Sequence, residues 1–180
     1  MKVEIQIKNL QNKALINSKY FKKVIIKTLK RIIFRPYPVE ISMIAVDNRQ
    51  IKAINRKFRN TNRATDVIAF PSGPEFSAVF PVPRKTQAAK ACMNTGKKSG
   101  NKSPKSAGVI PWCRVNGGDV FISIERAGSQ ARKFGHSLRK EMTILAIHGV
   151  LHLFGYDHIK KKDAGTMKSK EEEVLNCLSR

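Results

Sequence analysis

From the N-terminus, apolar and polar positions first alternate, with Val3, Ile5 and Ile7 set against Glu4, Gln6 and Lys8. A period of two over residues 2–8 predicts a half-buried strand. The period then lengthens. Phe21, Val24, Ile25, Leu29 and Ile32 recur at three- and four-residue intervals, which predicts a helix running to about Ile33 with Ser18 as its N-cap. Arg35-Pro36-Tyr37-Pro38 breaks that helix, Val39, Ile41 and Met43 resume the alternation, and Ile44-Ala45-Val46 completes a second strand. Asp47 or Asn48 is placed to cap a short helix carrying Ile51, Ile54 and Phe58. Asp66 to Phe70 reads as a third strand, apolar enough that a central place in the sheet is expected.

Periodic structure resumes at Asp119, where Val120-Phe121-Ile122-Ser123-Ile124 reads as a fourth strand. Glu125 to Phe134 reads as a helix ending near Gly135. Ser137 caps the longest helix, with Glu141 near its first turn, Met142, Leu145 and Ile147 in its core, and Gly155 as its stop. A last amphipathic helix from Asp163 to about Leu178 carries Met167, Val174, Leu175 and Leu178 as its apolar stripe. Strands and helices interleave without an internal repeat. The expected class is therefore α+β, an α/β-type sandwich in which one roughly four-stranded mixed sheet is covered by helices within a single domain over residues 1–180.

Charge changes this picture. The chain has 180 residues, 41% of them apolar, which suits one domain with a sizeable core, yet 35 Lys and Arg face only 13 Asp and Glu. A net charge of +22 makes a polyanion the first partner to consider. Between the third and fourth strands, Phe76 to Gly118 holds no acidic residue, while Arg84, Lys85, Lys90, Lys97, Lys98, Lys102, Lys105 and Arg114 are basic. Gly, Ser, Asn and Pro cluster from Asn94 to Pro111, so residues 73–116 read as a long, flexible, basic surface insertion. It is either a solvated loop or an arm that contacts RNA.

Several classes drop out. The longest apolar stretch, Thr143 to Tyr156, is too short to span a bilayer and carries two His, so no membrane partner is expected. The first ten residues include Glu4 and lack a secretory signal's apolar region. Cys92, Cys113 and Cys177 are odd in number and form no CxxC, which fits a reducing cytoplasm, no disulfide-linked partner and no zinc knuckle.

The candidate chemistry lies in one short run, His148-Gly149-Val150-Leu151-His152-Leu153-Phe154-Gly155-Tyr156-Asp157-His158. His148 and His152 are i and i+4, so on a helix their imidazoles share one face. Gly155 permits a left-handed helix end that can swing His158 toward the same point. Given His148, both other histidines would fall at these positions in a shuffled chain of the same composition roughly twice in ten thousand trials. Three imidazoles with a fourth position open describe a catalytic metal site, suited to Zn²⁺ but also to Ni²⁺ or Cu²⁺. The spacing matches the metzincin peptidases, H-E-x-x-H-x-x-G-x-x-H, except that Gly149 stands where their general-base Glu would be.

The same run, from His148-Gly149 through Leu151-His152-Leu153 to Gly155-Tyr156-Asp157-His158, resembles the signature of the YbeY family of metal-dependent endoribonucleases and rRNA maturation factors. Phe58-Arg59-Asn60-Thr61-Asn62-Arg63-Ala64-Thr65-Asp66-Val67-Ile68-Ala69-Phe70-Pro71 is similar to that family's Arg-rich, Thr-Asp-Val-x-x-Phe-Pro segment, and Gly118-Asp119-Val120 to its Gly-Asp-Ile/Val strand start. The likeness spans the chain apart from roughly residues 73–116, a connection longer and more basic than is usual in the family, and Ala64 replaces its usual Pro.

The resemblance implies a single-strand-specific endoribonuclease acting in 16S rRNA 3′-end maturation and ribosome quality control. Its partners would be rRNA and the small ribosomal subunit. It implies His148, His152 and His158 as ligands of one Zn²⁺, and Arg59 as a catalytic residue that clamps a phosphate. Asp157 then either orients a ligand imidazole or caps the turn. His136 is expected at the surface, Tyr156 in packing and Trp112 in local packing or base stacking. Lys160-Lys161-Lys162 is a solvated face or a backbone contact. Two other readings compete: a ribosome-assembly RNA-binding protein with a structural metal, and a metallopeptidase, which Gly149 disfavours.

Overall fold

The computed structural model describes residues 3–33, 38–72, 115–156 and 161–178. Four strands, β1 (Val3–Asn9), β2 (Val39–Val46), β3 (Val67–Phe70) and β4 (Val115–Ser123), form one sheet in the order β1-β2-β4-β3. β1 with β2 and β2 with β4 are parallel, while β3 runs antiparallel to β4, so the sheet is mixed as expected. Five helices cover it among the described residues: α1 (Ser18–Ile32), α2 (Asn48–Arg59), α3 (Ile124–Lys133), α4 (Leu138–Leu153) and α5 (Lys161–Leu178). None of them is long and apolar enough to cross a membrane.

Strand alternation divides the core. Ile41, Met43 and Ala45 of β2 join Val120 and Ile122 of β4 in a cluster with α1, α4 and α5, including Phe21, Leu29, Ile147, Leu151 and Met167. On the opposite face Ile44, Val46 and Ile68 pack on Ile51 of α2 in a smaller cluster. α4 lies at the centre of the larger layer, against α1, α3, α5, β3 and β4. That position explains a helix buried almost all round, with Met142, Leu145, Ile147, Val150, Leu151 and Leu153 all enclosed.

Some expectations need correction. β3 is not central: among the described residues it pairs only with β4 and ends the sheet. Its apolar character comes from cover on both faces, since Ile68 turns toward α2 while Val67 and Ala69 pack with the α4 side. The N-cap of α1 is Asn17, whose side chain accepts from the Tyr20 amide at 3.0 Å, and Ser18 is already helical. For α2 the cap is Asp47, which forms a capping box with Gln50 through contacts of 2.7 and 2.9 Å. Most of the 73–116 insertion, with Trp112, lies outside the described residues, and β4 already begins at Val115.

Candidate metal centre

α4 is fixed at both ends. At its start the Ser137 hydroxyl accepts from the Lys140 amide at 3.2 Å, as the sequence suggested. At its end the Gly155 amide donates to the His152 carbonyl at 3.0 Å and the Tyr156 amide to the Leu151 carbonyl at 3.1 Å. This bond pair is a Schellman motif, and it requires the left-handed residue that Gly155 supplies at φ 79°. Tyr156 packs against the main core.

Within that frame His148 and His152 meet. Their Nε2 atoms are 3.0 Å apart and their rings lie edge to face with centroids 4.6 Å apart. Behind His148, Glu171 of α5 brings Oε1 to 2.6 Å from Nδ1. Both side chains are half-buried, 27% and 19% exposed, so the contact is shielded from competing water. A neutral His148 whose Nδ1–H donates to Glu171 keeps its lone pair on Nε2, facing His152. Two nitrogens bound to one tetrahedral zinc at 2.0–2.1 Å stand about 3.3 Å apart, and the observed separation is close to that. A carboxylate behind a ligand imidazole is also the usual support for a metal-binding histidine. The donor set therefore fits a divalent metal.

The three-His site is described only in this half. His158 and Asp157 lie outside the described residues, among which no three His, Cys, Asp or Glu side chains gather as a metal site requires. Arg59 is the last residue of α2 and is exposed; its carbonyl accepts from the Thr61 hydroxyl at 3.1 Å. It lies on the α2 side of the sheet, whereas the histidines lie on α4 across it. Lys160 is outside the described residues, and nothing is described of the Lys161 and Lys162 side chains.

Gly149 has a steric role. A Cβ there would sit 2.4 Å from Val120 Cγ1 and 3.2 Å from Val67 Cγ2. The helix lies so close to the sheet that a glutamate, as in the metallopeptidase pattern, has no space at this position. His136 is partly exposed, with 16% of its side chain accessible, and pairs through Nε2 with Glu141 Oε2 at 3.0 Å, where Glu141 is itself buried. The polar neighbourhood continues through Asp66, which accepts from Gln130 at 2.9 Å, from the Val67 amide at 2.9 Å and from the Thr65 hydroxyl at 3.0 Å.

Glu171 is the member of this candidate site that the sequence reading missed. The signal was present: Met167, Glu171, Val174 and Leu178 are spaced four, three and four apart, which places a carboxylate on an otherwise apolar stripe. A charged residue on a buried stripe requires a partner, and His148 is that partner.

A sequence model described as Endoribonuclease YbeY matches residues 6–179. A protein of Caldicellulosiruptor bescii named Endoribonuclease YbeY is 36% identical over 98% of this chain and 98% of its own length. One of Clostridium botulinum (strain 657 / Type Ba4), named likewise, is 33% identical over 97% and 98% of the two chains. The solution structure of TM1509 from Thermotoga maritima is similar in fold, with a TM-score of 0.54, 23% identity and coverage of 97% of this chain and 91% of that one.

Proposed function

This chain belongs to the Endoribonuclease YbeY family, and from that premise we propose that it is a metal-dependent endoribonuclease that cuts single-stranded RNA. Its proposed setting is the cytoplasm, on rRNA of the small ribosomal subunit, in 16S rRNA 3′-end maturation and ribosome quality control. The observation that carries the reading is the Nε2 pair of His148 and His152 backed by Glu171.

His148, His152 and His158 are the proposed ligands of one Zn²⁺. Bound there, the ion would supply a water of lowered pKa and polarisation of a phosphoryl oxygen. The chain's own residues do the rest. Glu171 holds the His148 imidazole in the tautomer that presents Nε2. The His152 ring is placed by its helical offset from His148, and the close seat at Gly149 fixes the distance of that face from the sheet. Arg59, at the end of α2 on the other side of the sheet from the histidines, carries a guanidinium suited to a bidentate grip on a phosphate of the bound strand.

The experiment compares cleavage of a single-stranded rRNA fragment by purified protein with and without chelator, alongside His152→Ala. Cleavage by the variant should fall to the level of chelator-treated protein, with affinity for uncleaved RNA kept within about twofold because phosphate contacts dominate binding. A folded, metal-free variant that still processes the fragment at the native rate would overturn the assignment.

A further inference from the structure

We propose that the exposed face of α2 is a second RNA subsite, on which Phe58 stacks a nucleobase while Arg49, Lys52, Arg56 and Lys57 hold the adjoining phosphates. The inference rests on the RNA-directed reading above and adds a place where the strand is held away from the histidines.

Phe58 is 60% exposed, which is unusual for a ring that could have turned inward. It is supported from below: its centroid is 5.0 Å from that of Phe70, which meets Phe121 edge-on at 5.9 Å. The ring thus rests on packed aromatics while much of it remains open to solvent. Elsewhere on the same helix a groove of about 520 Å³ is lined by Arg49, Lys52, Ala53, Arg56, Lys57 and Asn62. The four cations fall at i, i+3, i+7 and i+8, so one helical stripe presents them together. Lys57 joins the two features, with Nζ 5.2 Å from the Phe58 centroid.

Charge selects the occupant. No acidic residue occurs between Asp47 and Asp66, and among the described residues none of the four groove cations is in an ion pair. An uncompensated cationic groove together with an open aromatic is the combination that binds single strands: cations follow the backbone and the ring takes a base. A duplex would engage the cations but would keep its bases from the ring.

The test is fluorescence anisotropy of the full chain with a short labelled single-stranded RNA, in chelator so that nothing is cut. Phe58→Leu, which keeps apolar cover over Phe70 but has no π face, should weaken binding about tenfold, and Phe58→Tyr should restore it to within about twofold. Against an abasic strand of the same length the Leu variant should match the native protein. Changing Lys52 and Arg56 together to Gln should lower the slope of log affinity against log salt by about 1.4. Unchanged binding by Phe58→Leu, or an equal loss on the abasic strand, overturns the stacking role. Native protein that cuts RNA while Phe58→Leu binds normally sinks this inference alone, whereas native protein that binds no RNA sinks both.

Discussion

Glu171 and Gly149 make the histidine pair usable, and neither is itself a proposed ligand. Glu171→Ala removes a carboxylate from His148 Nδ1, a contact that helps fix the ring's orientation and tautomer. Zinc affinity should fall about 10–100-fold by competition titration, with the fold retained because Ala is a good helix former. Unaltered affinity would mean that the 2.6 Å contact does not support the metal. For Gly149→Ala two effects compete. Alanine gains up to about 1 kcal/mol in helix propensity, but its Cβ would meet Val120 at 2.4 Å, and such overpacking costs about 1–3 kcal/mol. The clash should dominate because Val120 belongs to the central strand β4 and is fully buried. A fall in Tm of about 2–8 °C is expected, and a rise would show that the helix can lift without cost.

At the start of α4 two carboxylates respond to pH in opposite directions. Burial pushes the Glu141 carboxyl above its ordinary range, with Asp66 adding to the rise and His136 opposing it. Folded protein therefore holds a proton there that unfolded chain releases. This contribution favours folding below the ordinary carboxylate pKa and is lost as pH rises through the raised folded value. Glu141→Gln cannot ionise, so its Tm relative to native protein should improve as pH rises from about 4 to 7. A constant difference across that range would dismiss the linkage. For Asp66 burial likewise disfavours the charge, but hydrogen bonds from Gln130, the Val67 amide and Thr65 together outweigh it and hold the carboxyl below its ordinary value. Its contribution is present above the ordinary carboxylate pKa and lost as pH falls through the lowered one. Sequence alone shows neither effect, because periodicity places Glu141 near a helix start without revealing that His136 folds back onto it. The same limit explains the other differences. The helices of α1, α4 and α5 and the i, i+4 histidines are local patterns, and they read correctly. The edge position of β3, the partner of Glu171 and the clearance at Gly149 depend on contacts between distant elements. An apolar run such as Val67–Phe70 reports cover on both faces, which an edge strand between α2 and α4 receives as fully as a central one.

Across the whole molecule the +22 charge is distributed around the fold rather than concentrated at the histidines. α2 carries one acid-free group of cations, and residues 84–110 carry another, with Arg84, Lys85, Lys90, Lys97, Lys98, Lys102 and Lys105 and no acid. Whether this second group holds RNA can be tested by removing it, because enough chain remains on either side to close the connection. Phe70 at the end of β3 is registered against Asp119, four residues into β4, so the chain leaves and re-enters the sheet toward the same end. Deleting residues 84–110 leaves residues 71–83 and 111–114 to join Phe70 to Val115, more than such a connection needs. Tm should therefore be almost unchanged. If each lost cation had met one phosphate of a single strand, the slope of log affinity against log salt would fall by up to about 5, and affinity at low salt would fall with it. Loss of slope with Tm intact would identify the segment as an RNA arm acting beside α2. An unchanged slope would leave α2 and the metal-bearing face to account for binding, with these seven cations serving as solvated charge.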